Sequence, residues 1–229
     1  IKPGNLVVLE STVPPGATEQ MVRWILEERP DLKAPGSWDS SFYAAHCPER
    51  VLPGRIIVEL VQNDRVVGGV TEESSAVAKR FYETFVRGEC VVTDARTAEL
   101  AKLTENAFRD VNIAFANELS IIAGRLGVDV WELISLANRH PRVNILQPGP
   151  GVGGHCIAVD PWFIVHSAPE DSTFIRAARE TNLRKTDVVV QQVAGAMRDA
   201  GPGAIVACLG LAYKPDVDDL RAVSYTHLR

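Results

Sequence analysis

Between residues 94 and 126 the chain runs without a proline, and apolar residues recur at helical spacing: Leu100, Leu103, Ala107, Val111 and Ala114. Positions three and four apart fall on one helix face, so this pattern predicts one long helix. Gly127 suits its stop, and Asp129 with Glu132 three residues on resembles a capping box for a second helix. Ahead of the long helix the period is different. Residues 6–9 form a short apolar run rich in β-branched side chains, as expected of a strand buried on both faces. Pro14, Pro15 and Gly16 then make a rigid turn into a helix over about 18–28. Further strands are expected at 42–47, 65–70 and 89–93, with a helix over about 72–86 and Gly88 closing it. Strands alternating with helices predict a parallel, doubly wound sheet.

Beyond the long helix, residues 139–154 hold three prolines and four glycines and read as a loop. A second long helix is expected over 174–198. Gly201, Pro202 and Gly203 then lead to an apolar strand at 204–209. The fold class expected is α/β: a partial doubly wound, Rossmann-like sheet (1–93), a central all-helical region (94–200) and the start of a second α/β domain (201–229). Both ends look cut. Residue 1 falls just before an apolar strand with no starting methionine, and the chain stops soon after a new unit begins.

The net charge of -5 gives no general attraction to nucleic acid or to an anionic membrane, so an anionic ligand must be met by a local cationic cluster. No apolar run is long enough to span a bilayer. The four cysteines, Cys47, Cys90, Cys156 and Cys208, form no CxxC pair. No zinc site or disulfide framework is expected from them, and the usage suits a reducing cytoplasm.

The sharpest local feature is Gly153-Gly154-His155-Cys156-Ile157-Ala158-Val159-Asp160. A cysteine attacks carbonyl carbon as the thiolate, and glycines before it let the backbone curl closely and leave room for a substrate. Cys47, Cys90 and Cys208 are flanked by strand-like sequence and read as buried hydrophobes. Asp160, followed by Pro161, is either a helix N-cap or a catalytic carboxylate. Gly149, Gly151 and Gly154 match GxGxxG letter for letter, but the dinucleotide fingerprint needs a strand before it and a helix after it, so the match is rejected.

Lys102, Asn106 and Arg109 share a helix face that differs from the one carrying most of the apolar positions. The alternative is a solvated polar face, yet asparagine is a mediocre helix former without an evident cap role here. A lysine there can relay the proton of a substrate hydroxyl while the asparagine supports an oxyanion. Glu49 and Arg50 follow a strand end, where open α/β sheets place ligands. Glu49 is a candidate to orient water and Arg50 to bind an anion, against the reading of ordinary loop charges. Thr12 also lies past a strand end, facing a cofactor or capping a helix. Lys214 is either a phosphate or sugar contact or part of a turn.

Taken in order, these segments resemble the UDP-glucose/GDP-mannose dehydrogenase family over almost the whole chain, from Glu10-Ser11-Thr12-Val13-Pro14-Pro15-Gly16 to Arg221. The cysteine block is the most specific motif, supported by Lys102 with Asn106 and by Tyr213-Lys214-Pro215-Asp216. Cys47-Pro48-Glu49-Arg50-Val51-Leu52-Pro53-Gly54 is most similar to the members acting on UDP-N-acetylmannosamine. UDP-glucose members carry a second glutamate where this chain has Pro53.

The resemblance implies an NAD-dependent cytoplasmic enzyme that oxidises the C6 alcohol of a UDP-sugar to a carboxylate. It implies Cys156 as nucleophile, Lys102 as acid/base group, and help from Asn106, Glu49 and Asp160. Thr12 would touch NAD. Arg50, Val51, Lys102, Asn106, Arg109, His140, Arg142, Gly153, Tyr213 and Lys214 would hold the UDP-sugar, and the central helix would make a homodimer. After Arg221 the family pattern is lost, so residues 222–229 are expected to be foreign to it, and the 229 residues alone are not expected to reduce NAD. Three other readings stay open: UDP-N-acetylglucosamine or UDP-glucose as the sugar, a β-hydroxyacid dehydrogenase, which has no use for a nucleophilic cysteine, and a helical dimerisation module without turnover.

Overall fold

The computed structural model describes residues 1–37, 39–51, 55–154 and 156–207. It divides into two compact units, Ile1–Thr104 and Glu105–Arg229.

The first unit is a four-stranded sheet in the order β1-β2-β3-β4, with β1 Asn5–Leu9, β2 Phe42–His46, β3 Arg65–Gly69 and β4 Cys90–Asp94. Helix α1, Ala17–Glu28, links β1 to β2 in parallel, and α3, Glu72–Tyr82, links β3 to β4 in parallel. Both faces are covered, as the apolar runs require. Leu6 and Val8 pack into a core of Ala45, Cys47, Val67, Ala78, Tyr82, Val86 and Cys90. Val7 points the other way, to a core of Phe42, Ala44, Leu32 and the inner face of α1 (Met21, Val22, Ile25, Leu26). Thr71 caps α3 by accepting the Ser74 amide at 3.1 Å.

One expectation needs correction. The sheet is not wholly parallel: β2 and β3 pair antiparallel, through Ala45↔Gly69 and His46↔Gly68. The connection includes a seven-residue helix, α2 (Ile56–Gln62), which the sequence reading did not contain. β3 enters from the end of the sheet where β2 leaves, as the antiparallel register requires. The paired Gly68 and Gly69 then permit close approach. A Cβ on Gly68 would lie 2.3 Å from the Asp94 carbonyl oxygen and 2.7 Å from the Ala98 Cβ, so the chain could not turn from β4 into the next helix as it does.

That helix, α4, spans Ala95–Leu126 in one piece and stops at Gly127, whose φ of +69° suits glycine. Asp129 caps α5 (Val130–Ala137), accepting from the amides of Trp131 and Glu132. Helices α6 (Asp160–Ser167) and α7 (Thr173–Ala200) complete the second unit. Two expectations fail here. Residues 204–207 form no strand: no described strand pairs with them, and Ile205 is 93% exposed. On α4 the expected apolar positions Leu103, Ala107 and Ala114 are buried, but Leu100 is exposed and Asn106, expected on a different face, is buried beside them, as are Asp110 and Asn117. Cys208 and the rest of the expected second α/β domain lie outside the described residues.

Candidate active site

Cys156 opens the tight turn that leads into α6. Its carbonyl accepts the amides of Val159 at 3.1 Å and Asp160 at 2.8 Å, and its own side chain is exposed. Of the two readings of Asp160, the helix N-cap does not hold. Val159 occupies the N-cap of α6, no side chain among the described residues caps that helix, and the buried Asp160 carboxylate accepts a 2.6 Å hydrogen bond from Asn106 Nδ2 instead. A carboxylate in the first turn of a helix also meets the positive end of the helix dipole. This bond accounts for an asparagine inside α4, and it pins the cysteine-bearing turn to that helix. Asn106 has a second N–H to offer.

Lys102 stands one turn before Asn106 on α4, half-buried and without a hydrogen-bond or ion-pair partner among the described residues. Arg109 is exposed. His140 and Arg142 are exposed on the loop after α5, where the Arg142 amide donates to His140 Nδ1 at 3.3 Å. Gly153 is half-buried in the same loop. No strand precedes the GxGxxG look-alike and the next helix begins at Asp160, in keeping with its rejection. His155, Tyr213 and Lys214 lie outside the described residues.

The remaining candidates belong to the first unit. Thr12 is half-buried on the turn after β1. Glu49 sits past the end of β2, and its Oε1 accepts the amides of Arg50 at 2.7 Å and Val51 at 2.9 Å. Its Oε2 faces Arg65 Nη1 at 3.4 Å. Arg50 and Val51 are half-buried in this loop.

Several residues that organise these positions were absent from the sequence reading. Arg65 is 2% exposed and lies 5.7 Å over the Tyr82 ring, whose hydroxyl donates to Glu10 at 2.6 Å. Glu99 is buried and fills the amino end of α1, accepting from the Gly16 amide, the Thr18 amide and the Thr18 hydroxyl. Helix amino ends attract anions, so this one is closed to the phosphates of a cofactor. In the second unit Asp110, Asn117, Arg179 and Asn182 form a buried polar stripe. Complementary polar residues at helical spacing on α4 and α7 were the available signal.

The thiols differ sharply. Cys47 and Cys90 are buried and Cys156 is exposed. Burial pushes the Cys47 thiol up to about 11, leaving only about a thousandth of it as thiolate at pH 8. Iodoacetamide at that pH is expected to label Cys156 at least about a hundredfold faster than Cys47 or Cys90. Peptide mass spectrometry of the timed reaction checks this, and comparable labelling of Cys47 would contradict the arrangement described.

Comparison with known proteins bears on what this geometry is for. Residues 1–86 match the profile of the UDP-glucose/GDP-mannose dehydrogenase family, NAD binding domain, and residues 96–184 match the central domain of the same family. The chain is 62% identical over 223 residues to the NDP-N-acetyl-D-galactosaminuronic acid dehydrogenase of Ralstonia nicotianae, covering 96% of this chain and 52% of that protein. It is 60% identical over 223 residues to the UDP-N-acetyl-D-mannosamine dehydrogenase of Campylobacter jejuni, covering 96% and 54%. Among solved structures, the UDP-D-ManNAc dehydrogenase of Pyrococcus horikoshii superposes with a TM-score of 0.88 at 47% identity, over 97% of this chain and 53% of that one.

The matches define an NAD-binding type of domain followed in the chain by the central domain of a dehydrogenase. The chain belongs to the UDP-glucose/GDP-mannose dehydrogenase family. It spans about half the length of the curated relatives it matches.

Proposed function

We propose that the whole protein containing this chain oxidises the C6 alcohol of a UDP-linked N-acetylhexosamine to the uronate, with Cys156 as nucleophile. The observation that carries this reading is the exposed thiol on a turn held by Asp160 to Asn106 of α4, the helix that also bears Lys102. NAD, when bound, supplies the hydride acceptor for both oxidations. The chain's own contribution to its binding is Thr12, on the turn past β1. The pyrophosphate is held elsewhere, since Glu99 closes the end of α1.

Lys102 takes the proton of the C6 hydroxyl as hydride leaves carbon. Cys156 sulfur then adds to the aldehyde carbon, and the thiol proton passes to the carbonyl oxygen, which Lys102 and the second N–H of Asn106 stabilise. Loss of a second hydride, with the hydroxyl proton passing through Lys102 to solvent, converts the thiohemiacetal to a thioester. Water, oriented by Glu49 or Asp160, breaks the carbon–sulfur bond and returns the thiol. The balance is RCH2OH + 2 NAD+ + H2O giving RCOO- + 2 NADH + 3 H+. Keeping the aldehyde on sulfur prevents its escape between oxidations.

Arg50, Val51, Arg109, His140, Arg142, Gly153, Tyr213 and Lys214 are proposed to hold the UDP-sugar, with the cations gathering around its pyrophosphate. The proline at position 53 argues against UDP-glucose; N-acetylmannosamine is the proposed sugar, with N-acetylgalactosamine, which the relative at 62% identity is named for, and N-acetylglucosamine as competitors. Self-association through the helices is part of the proposal. Phe108, Phe115, Ile122 and Leu126 on α4, and Leu183, Val190 and Met197 on α7, are exposed near heptad spacing.

The test is an assay of the whole protein with NAD against UDP-N-acetylmannosamine, UDP-N-acetylgalactosamine, UDP-N-acetylglucosamine and UDP-glucose. Two NADH per uronate, with an N-acetylated sugar preferred, is the expected result. No turnover with any of them, or release of the aldehyde after one NADH, would sink the reading.

A further inference from the structure

The loop that delivers Cys156 is tied down at two places in the second unit. One is the bond from Asn106 to Asp160. The other is a chain of buried amides. The Gly149 amide donates to Asn117 Oδ1 at 2.8 Å, Asn117 Nδ2 donates to Asn182 Oδ1 at 2.8 Å, and Asn182 Nδ2 donates to Asp110 at Oδ1 (2.8 Å) and at the backbone carbonyl (3.1 Å). Arg179 closes the chain on the Asp110 carboxylate. Asn117 and Asp110 are 0% exposed, Asn182 1% and Arg179 2%.

The order of donors and acceptors permits one arrangement. Each carboxamide accepts with its oxygen and donates with its nitrogen, and turning either one over would set like against like. A buried amide that loses its partner is costly, so the relay fixes where Gly149 sits. A second contact lies close by. A Cβ on Gly151 would come within 2.4 Å of Thr186 Oγ1, one turn beyond Asn182 on α7. The two anchoring residues of α4, Asn106 and Asn117, are eleven positions apart, about 16 Å along the helix. Gly149 and Asp160 are also eleven apart and would reach roughly 36–40 Å if extended. The segment must therefore arch between two fixed ends, with Cys156 on the arch.

We propose that Asn117 and Asn182 are positioning residues for Cys156: they hold the Gly149 end of the arch as Asn106 holds the Asp160 end. This rests on the reading of Cys156 as nucleophile given above, but the two fail in different ways.

The test is Asn117→Leu in the whole protein, with Asn117→Ser as the second variant should the first not fold. Turnover is expected to fall at least tenfold while KM for NAD stays within twofold, because Thr12, the proposed NAD contact, is no part of the relay. Amide exchange over residues 149–154 is expected to quicken at least tenfold. A folded variant with turnover and exchange both within twofold of wild type overturns the inference. If the wild-type protein oxidises no nucleotide sugar, the functional reading has failed, and exchange alone decides: unchanged rates at 149–154 overturn the positioning role. If neither variant folds, exchange in the wild type decides, since a Gly149 amide exchanging as fast as exposed loop amides also overturns it.

Discussion

Replacing Cys156 by alanine in the whole protein is expected to lower turnover to the uronate by at least about 10³-fold, the scale on which enzymes lose rate when a covalent nucleophile is removed. Without sulfur the first oxidation leaves an aldehyde that nothing holds, and the second has no thiohemiacetal to act on. The NADH yield should drop from two per sugar to one at most. Stability should hardly move. The side chain is exposed and makes no hydrogen bond among the described residues, and such surface changes usually stay within about 0.5 kcal/mol. The two readouts together are the test: stopped turnover with an unchanged urea midpoint. A variant that still yields two NADH per sugar would remove Cys156 from the chemistry.

The sequence made some of this arrangement readable and hid the rest for physical reasons. Residues 6–9 announce a strand because an apolar run with β-branched residues, buried on two faces, has no polar alternation, and β1 lies there; the strand expected at 42–47 coincides with β2. Gly127 and Asp129 mark helix ends through local backbone chemistry, which needs no knowledge of the rest of the chain. The exposed Cys156 was legible for the same reason, since its glycines are local. Direction of pairing is not local. β3 runs against β2, and the seven-residue α2 between them leaves little periodic signal.

The inner face of α4 was the harder case. Periodicity locates an apolar stripe, and polar residues are then assigned to solvent. Here Phe108 is 69% exposed while Asn106, Asp110 and Asn117 are buried, because their partners, Asp160, Arg179 and Asn182, lie more than fifty positions away. Buried polar groups occur where they are paired, and pairing at that separation is a property of the folded chain. The same applies to Glu99, which reads as a surface residue and instead closes the end of α1.

The buried pair of Asp110 and Arg179 should then be the most sensitive point for stability. Asp110→Ala is expected to destabilise the protein by about 3–5 kcal/mol, because it leaves a guanidinium charged, buried and unpaired. That is a large share of the roughly 5–15 kcal/mol by which folded domains are stable. Burial pushes the Asp110 carboxyl up, and Arg179 and Asn182 pull the other way. Neither partner is fully satisfied: among the described residues, Asp110 Oδ2 and Arg179 Nε have no hydrogen-bond partner. An incompletely bonded buried pair recovers little of its desolvation cost. Replacing both residues, as Asp110→Leu with Arg179→Met, should accordingly restore stability to within about 1–2 kcal/mol of wild type. Asn182 would keep its bond to the carbonyl of residue 110, which belongs to the backbone and survives the exchange. Urea unfolding of wild type, single and double variants measures all three values. If the double variant is as unstable as Asp110→Ala, the pair contributes more than a cancelled charge, and its hydrogen bonds to the rest of the stripe hold α7 against α4.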